Sequence, residues 1–196
     1  SAASDVYKRQ NLHSIIIVHK RRGKVKVYAE IERPSGFIVY MAVAGTLLYF
    51  LEVFSYMFLT FTDTISMLYY FPFYFQLQLA PYIQILGLIL TLIGYSLFIW
   101  SVVARGRYAV SWQMPENQKL VTWGPYRYIR HPSYLGYFVM FFGLFFLWPN
   151  LFTLIPLFAI PGYFRVAFQE EKLLTKRFKG EYLEYQKRTG RFIPRF

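Results

Sequence analysis

The stretch that decides the fold class runs from Tyr82 to Val103 and reads YIQILGLILTLIGYSLFIWSVV. None of its 22 residues carries a charge. A helix needs roughly 20 predominantly apolar residues to cross the hydrocarbon core of a bilayer, where each backbone polar group must be satisfied within the segment. The stretch therefore predicts a transmembrane helix.

Further apolar segments lie on both sides of this stretch. The other candidate spans are Phe37–Leu59, Tyr134–Trp148, Leu151–Phe164 and the shorter, proline-containing Met67–Leu79. Glu52 is the one charge inside the first of these segments. Pro149 and Asn150 separate the second from the third, and such residues mark a turn. The segments on either side of this turn therefore predict a C-terminal helical hairpin.

The basic residues are confined to the regions between the apolar segments. The chain has 22 Lys and Arg against 10 Asp and Glu, and all of the Lys and Arg lie in 8–33, 105–130 and 165–195. The positive-inside rule produces this distribution in polytopic membrane proteins. The net charge of +12 is therefore interpreted as a membrane topology signal, and no nucleic-acid partner is expected.

The number of crossings follows from the sides on which the basic blocks lie. If all three blocks are cytoplasmic, an even number of spans separates each pair, which favours four crossings with 67–79 outside or re-entrant. Five crossings would place the first block on the far side. The sequence thus predicts an all-α, polytopic integral membrane helical bundle of four to five transmembrane helices. We expect residues 1–33 to form a basic cytoplasmic N-terminal segment and residues 34–196 to form one membrane domain.

Two negative features narrow the chemistry. The segment Leu12–Val18 is too short for the apolar region of a signal peptide, so no signal peptide is expected. The chain contains no cysteine, which excludes disulfides, thiolate metal sites and a cysteine nucleophile. No metal site is expected.

The third basic block has helical periodicity. Between Glu170 and Arg188, apolar side chains recur every three or four residues, at Leu173, Leu174, Phe178, Tyr182 and Tyr185. This spacing places them on one face of a helix. The block therefore predicts a cytoplasmic amphipathic helix, which either lies on the membrane surface or closes the bundle.

Chemistry is expected in the loop Gly124–Gly136, GPYRYIRHPSYLG. Proline suits the first position of a helix, so a helix is expected to begin at Pro132 with His131 at its cap. The free backbone N–H groups of such a helix start attract an anion, and tyrosine rings attract a cation. The loop therefore predicts a site for a ligand with one anionic and one cationic or flat end. Aromatic anchors and charges at a membrane interface are the structural alternative.

The same motifs carry a resemblance to a known family. They are Leu120-Val121, Gly124-Pro125-Tyr126, Arg130 to Gly136, Glu170-Glu171, Phe178 to Tyr185 and Arg191 to Pro194. In this order the chain resembles the isoprenylcysteine carboxyl methyltransferase family and the related membrane phospholipid methyltransferases. The match covers roughly residues 113–194.

The resemblance implies S-adenosylmethionine as methyl donor, with S-adenosylhomocysteine as product. The pocket would face the cytoplasm and be built mainly from 113–136 and 165–194. By position, the implied cofactor contacts are Lys119, Leu120 and Val121 for the adenosine, Tyr126, His131, Pro132, Ser133 and Tyr134 for the methionine portion, and Glu170 for the ribose hydroxyls or the cofactor amine. Gln113 is a further implied contact, although the gap between it and Leu120 differs in length from the family's. The partners would be a lipophilic or prenylated acceptor and membrane lipids.

Catalytic roles are expected for Arg165 and Glu170. Arg165 is the first charge after the last apolar segment, where it could orient a lipid-borne carboxylate, or it could be a snorkelling boundary residue. A carboxylate acceptor, such as that of a prenylated cysteine, needs no base at pH 7, whereas a phospholipid amine must first lose a proton to a base such as Glu170 or His131. The carboxylate is favoured because the cytoplasmic rim offers several arginines and few acids.

Two other classes of function remain as alternatives. A sterol reductase-like protein would bind NADPH, whose extra phosphate would require cations such as Lys119, Arg127 and Arg130. A non-enzymatic bundle or small transporter would give a role to Glu52, since charges inside a membrane often mark an ion path. No second charge lies within a candidate span to form a relay with Glu52.

Overall fold

The computed structural model describes residues 27–30, 36–70, 74–75, 80–108, 113–115 and 118–195. The α-helices of this part are α1 Phe37–Phe61, α2 Ala80–Arg105, α3 Pro132–Leu147, α4 Ile160–Phe178 and α5 Gly180–Arg188. Four 3-10 segments accompany them: Ile65–Tyr70, Gly106–Tyr108, Gly124–Arg127 and Phe152–Ala159. Two short strands complete the described part, β1 Val27–Glu30 and β2 Gln113–Pro115.

Glycines allow α2 and α3 to lie against each other along their length. They are spaced seven residues apart, at Gly87 and Gly94 on α2 and at Gly136 and Gly143 on α3. A Cβ atom at Gly94 would lie 2.6 Å from Cγ of Met140, and one at Gly136 would lie 3.0 Å from the Gly94 carbonyl oxygen. Small residues permit such backbone-to-backbone approach between membrane helices. Because early α2 faces late α3, the two helices are antiparallel.

The other long pair is α1 with the segment 152–178, in which the 3-10 turn 152–159 runs directly into α4. Gly45 lies against Ala159, whereas Gly162 lies against Ala42, so this pair is also antiparallel. The hydroxyl of Tyr49 on α1 donates to the hydroxyl of Tyr95 on α2 over 3.3 Å. The two pairs therefore share one core, whose buried members are Ala42, Tyr49, Met140, Phe141, Leu144 and Ala159.

Three helical segments of the described residues are long and apolar enough to cross a membrane: Phe37–Phe61, Ala80–Arg105 and Phe152–Phe178. The fourth apolar helix, α3, has 16 residues. Pro149 and Asn150 form the predicted turn after α3, and the backbone N–H of Phe75 donates to the Pro149 carbonyl over 2.9 Å. The fifth candidate span, Met67–Leu79, contains no helix of spanning length among its described residues.

The predicted amphipathic helix 170–188 is two helices. Helix α4 continues from the apolar Ile160 to Phe178, and α5 begins at Gly180. Lys179 between them has a φ of 46°, which is incompatible with a continuous right-handed helix. Side chains from both pieces, Leu174, Phe178, Tyr182 and Tyr185, pack with Leu120. The apolar face is therefore covered in part by the loop that precedes α3.

A two-stranded antiparallel sheet makes the all-α expectation incomplete. Val27 lies opposite Pro115, and Glu30 lies opposite Gln113. The end of the segment 1–33 is thereby joined to the second basic block. The pairing depends on backbone hydrogen bonds between residues more than 80 positions apart, which no local periodicity reports. Residues 1–26 lie outside the described part.

Candidate functional site

A cavity opens at the end of the bundle where α2 ends, α3 begins and α4 leaves its apolar half. The space between its walls is about 570 Å³ when counted out to its open mouth. The residues expected here from the sequence that line it are Lys119, Leu120, Val121, Tyr126, His131, Ser133, Tyr134 and Glu170. The sequence motif and the cavity therefore coincide over most of the expected contacts.

Three expected residues lie elsewhere. Pro132 is buried at the first position of α3, directly between two lining residues. Gln113 lies on β2, opposite Glu30. Arg165 is exposed on α4 and does not line the cavity.

Several lining residues were not assigned a role from the sequence. They are Arg105, Tyr108, Gln118, Leu174, Tyr182 and Tyr185, and Arg130 joins them from the motif. Arg105 is the last residue of an otherwise uncharged helix. This position is the feature of the sequence from which a role for Arg105 could have been predicted. Leu174, Tyr182 and Tyr185 belong to the predicted apolar face, which two helices form and which turns toward the site.

The loop before α3 is held against the end of α2. Gly124 has a φ of 60°, and a Cβ atom there would lie 2.8 Å from Cβ of Ala104, so the position requires glycine. The indole N–H of Trp123 donates to the Ala104 carbonyl over 2.8 Å. The 3-10 turn that follows buries Tyr126 in the cavity wall.

His131, Tyr134 and Glu170 meet at the cavity although about 40 residues separate the first from the last. The Tyr134 hydroxyl donates to Oε1 of Glu170 over 2.8 Å. Nδ1 of His131 lies 3.5 Å from Oε2 of Glu170, and the imidazole is parallel to the Tyr134 ring with centroids 5.5 Å apart. Glu170 is thus a half-buried carboxylate beside a hydroxyl and an imidazole, and it lines the cavity.

Glu171 points the other way and is surrounded by cations. Its Oε1 accepts from Nε of Arg130 at 2.9 Å, Nε2 of His131 at 3.2 Å and Nε of Arg191 at 3.1 Å, and its Oε2 accepts from Nη2 of Arg191 at 2.6 Å. The sequence motif contained Glu171 without assigning it a role. Its contacts tie the loop, α4 and the C-terminal tail (Thr189–Arg195) together.

Helix α5 forms the far wall of the cavity. The Tyr185 hydroxyl donates to the Tyr126 carbonyl over 2.6 Å, and Tyr182 is 1% exposed beside it. Burial raises the pKa of the Tyr126, Tyr182 and Tyr185 hydroxyls, and the charge of Arg105 opposes this effect at Tyr126. These hydroxyls are therefore neutral at physiological pH, where they can donate hydrogen bonds but cannot act as bases.

The wall contains polar atoms whose hydrogen-bonding capacity is unused. Within the described part of the chain, Oε1 of Gln118 and the hydroxyl of Tyr182 are buried and have no hydrogen-bond partner. Buried polar atoms are normally paired, so such atoms in a cavity wall indicate a polar ligand. Arg105, Lys119 and Glu170 add charges of both signs. These hydrogen-bond donors, acceptors and charges fit the carboxylate, amine and hydroxyl groups of S-adenosylmethionine.

Comparisons with known proteins give two findings. The sequence model of the family described as phospholipid methyltransferase matches residues 82–181. Similar curated chains are named protein-S-isoprenylcysteine O-methyltransferase: those of Xenopus laevis (31% identical over 126 residues), Tribolium castaneum (28% over 137) and Saccharomyces cerevisiae (31% over 115). These alignments cover 62%, 64% and 56% of this chain, and 44%, 46% and 48% of the relatives. The chain therefore spans about half the length of the curated relatives it matches.

Proposed function

The chain belongs to the phospholipid methyltransferase family, and on this premise we propose that it is an integral membrane methyltransferase that transfers a methyl group from S-adenosylmethionine to a lipophilic acceptor. The three long apolar helices and the family agree that this is a membrane protein. The acceptor proposed is a lipid-borne carboxylate such as that of a prenylated cysteine, the group that appears in the relatives' names.

The observation that carries the proposal is the cavity formed where His131, Tyr134 and Glu170 meet. It lies at the end of an apolar bundle, so a ligand from water and a ligand from the membrane can both reach it. A purely structural bundle end has no need of buried polar atoms without partners, such as those of Gln118 and Tyr182, beside a carboxylate.

The residues of the cavity divide into groups suited to different parts of the cofactor. When bound, S-adenosylmethionine supplies a methyl group activated by a sulfonium. Glu170 would bind its amine or ribose hydroxyls, and the faces of Tyr126 and Tyr134 would attract positive charge. His131 and Ser133 lie at the start of α3, where backbone N–H groups favour a carboxylate. Leu120, with Lys119 and Val121 beside it, would line the adenosine.

Two arginines can be proposed as partners of the acceptor carboxylate. Arg165 is on the exposed side of α4, along the path by which a lipid would arrive. Arg105 lines the cavity itself, and its charge acts on Tyr126 there. We assign final orientation of the acceptor to Arg105, because a charge-assisted hydrogen bond aligns the reacting atoms only when the donor lies at the reaction site. Arg165 is assigned to capture at the rim.

The chemistry with a carboxylate requires alignment rather than proton transfer. The acceptor is ionised at pH 7, so the chain must place it in line with the donor and exclude water. Such alignment supplies up to ~7–11 kcal/mol of a barrier in the best cases. The tyrosines of the cavity wall exclude water and supply neutral hydrogen-bond donors. Their hydroxyls do not compete with the acceptor as nucleophiles.

We also propose four crossings with the cavity on the cytoplasmic side. The two basic blocks 105–130 and 165–195 both lie at the cavity end of the helices, and β1 joins the end of the first block to them. With α1, α2, α3 and the segment 152–178 running alternately, the positive-inside rule assigns that end to the cytoplasm.

The test is transfer of a radiolabelled methyl group by the purified protein in lipid nanodiscs. One acceptor is a farnesylated cysteine derivative with a free carboxylate, and the other is phosphatidylethanolamine. A methyl ester releases volatile methanol in alkali, whereas an N-methyl group does not. Alkali-labile label on the farnesylated acceptor is expected, with less label in the Glu170→Gln variant. Absence of label on every acceptor would overturn the proposal.

A phospholipid amine is the second candidate acceptor, because the matching family is described by phospholipids and Glu170 is a carboxylate in the cavity. An amine must lose a proton, so kcat/KM would rise about tenfold per pH unit below the acceptor pKa. A carboxylate acceptor predicts no such rise. Alkali-stable label together with that pH profile would select the amine.

A sterol reductase-like activity would instead require NADPH. In a thermal-shift assay we expect S-adenosylhomocysteine to stabilise the protein and NADPH not to do so. A ligand that binds the folded state raises the midpoint temperature of unfolding. The reverse result would favour hydride transfer.

A further inference from the structure

The C-terminal tail is paired with the loop that carries His131. The backbone N–H of Arg130 donates to the Gly190 carbonyl over 2.9 Å, and that of His131 donates to the Arg191 carbonyl over 3.0 Å. A Cβ atom at Gly190 would collide with the Ile193 carbonyl oxygen, so the tail turns tightly at this position. The tail thus holds the backbone of His131 directly.

Arg191 also reaches the imidazole of His131 through Glu171. Its guanidinium forms a two-pronged contact with the Glu171 carboxylate at 3.1 and 2.6 Å, and this contact raises the pKa of Arg191. Glu171 in turn accepts from Nε2 of His131 at 3.2 Å. A bidentate pair of this kind is strong and directional. One tail residue therefore holds His131 at both its backbone and its ring.

The contacts of Glu171 determine where the imidazole proton lies. Arg130 and Arg191 can only donate, so Glu171 must accept from both and is an unprotonated carboxylate. The ring nitrogen that faces it, Nε2 of His131, must then carry a proton. The other nitrogen, Nδ1, is directed toward Oε2 of Glu170 at 3.5 Å.

We infer that Arg191 and Glu171 are positioning residues that keep a proton on Nε2 of His131 and thereby present Nδ1 to Glu170 at the cavity. An attractive contact between Nδ1 and Glu170 requires a proton on one of the two, so the pair can hold a proton beside the ligand. The purpose of this pair rests on the proposed function, whereas the protonation of Nε2 does not.

The tail has a second attachment that is independent of the ion pair. The ring of Phe192 lies 4.5 Å from that of Phe164 and 5.2 Å from that of Phe138, measured between centroids. Phe192 is 7% exposed. Because this apolar contact remains when Arg191 is replaced, a variant at Arg191 tests positioning without detaching the tail.

The experiment is nitrogen-15 NMR of the protein labelled in its histidines, with the His131→Gln variant to assign the signals. The wild type is expected to show a proton bound to Nε2 from about pH 5 to 8, the range over which histidine usually titrates. In Arg191→Gln the Nε2 proton is expected to be shared between tautomers, and Arg191→Lys is expected to restore the wild-type signal. Lys187→Gln, which removes a cation from an exposed pair with Glu184, serves as the matched control.

Activity provides the second readout. A misplacement of about 1 Å can cost on the order of 10²-fold in rate, so kcat/KM is expected to fall by about this factor in Arg191→Gln, less in Arg191→Lys and not at all in Lys187→Gln. A wild-type signal with the proton on Nδ1 alone would overturn the inference, as would an unchanged tautomer and rate in Arg191→Gln. If no acceptor is methylated, the proposed function fails, but the NMR signals still test the inference about His131. If Arg191→Gln does not fold, the spectra of the wild type and of Arg191→Lys test that inference.

Discussion

Glu170 and Glu171 are neighbours in the chain with opposite surroundings. Glu171 accepts four hydrogen bonds from cationic or basic side chains and is 4% exposed, which makes it a structural tie. Glu170 is contacted by the hydroxyl of Tyr134 and by His131, and it faces the cavity. Adjacent residues of a helix point about 100° apart, so one carboxylate can hold the scaffold while the next serves a ligand.

Replacement of Glu170 by Gln is expected to weaken binding of S-adenosylhomocysteine by about 1–3 kcal/mol, the range for losing a hydrogen bond to a charged group. Calorimetric titration measures this loss, and the thermal midpoint in detergent should change little. Glu184→Gln, at an exposed carboxylate of α5, is the control. Unaltered affinity in Glu170→Gln would remove this residue from the cofactor site.

Replacement of the two arginines proposed to bind the acceptor is expected to affect different kinetic constants. Arg105→Ala should remove about 1.5–3 kcal/mol of transition-state stabilisation for a carboxylate acceptor, which lowers kcat/KM roughly 10- to 160-fold. Arg165→Ala should act mainly through the acceptor KM, and Arg127→Ala, at an exposed loop position, should leave both constants unchanged. Initial rates at varied acceptor concentration measure these effects. Normal kcat in Arg105→Ala would return the orienting role to Arg165.

At the scale of elements, the fold is built on two close helix contacts, α2 with α3 and α1 with the segment 152–178. It also depends on α4, which extends from the apolar bundle to the cavity. The α2–α3 contact is made by glycines, which let the two apolar helices pack backbone to backbone where water supplies no driving force between them. Helix α4 is apolar where it packs on α1 and polar where it borders the cavity. The cavity therefore forms at the point where the residues of α4 change from apolar to polar.

Replacement of Gly94 by Ala is expected to destabilise the protein by on the order of 1–3 kcal/mol, because the new methyl group would lie within 2.9 Å of the Met140 backbone nitrogen and must push the helices apart. Thermal unfolding in detergent measures the effect. Gly180→Ala is the matched control, since a Cβ atom there meets nothing within 4 Å. Equal midpoints for the two variants would show that α2 and α3 do not pack as described.

At the scale of the whole molecule, the antiparallel arrangement sorts charge by end. Arg105, His131 and Glu171 lie near one end of the bundle, whereas Pro149 and Phe75 meet at the other. The four proposed crossings would place these two ends in different aqueous compartments. Sidedness is thus a property of the assembled bundle rather than of any one helix.

Single-cysteine labelling in sealed vesicles tests this sidedness, and the chain contains no cysteine to interfere. Cysteines placed at Lys119 and Lys187 are expected to react with an impermeant maleimide from the same side, and one at Ser66 from the other. All three positions are exposed. Labelling of 119 and 187 from opposite sides would contradict the shared cavity, and labelling of all three from one side would contradict the number of crossings.

Local pattern was sufficient to predict the long apolar helices. An uncharged run such as 82–103 has one stable form in a bilayer, a helix, because its backbone groups must be satisfied internally. Pro149 and Asn150 end a helix for equally local reasons, and Pro132 starts one. The break at Lys179 escaped prediction because a one-residue change of φ leaves the spacing of the apolar residues nearly intact.

The sequence by itself determined which segments are apolar and which short motif carries the polar groups. Only the tertiary structure decided that β1 pairs with β2, that Arg105 lines the cavity while Arg165 is exposed outside it, and that Glu171 is enclosed by Arg130 and Arg191. The physical reason is that periodicity reports neighbours within a turn or two of one element. The direction in which a charged side chain points depends on the rotation of its helix against others. That rotation is decided by contacts between residues 20 to 88 positions apart.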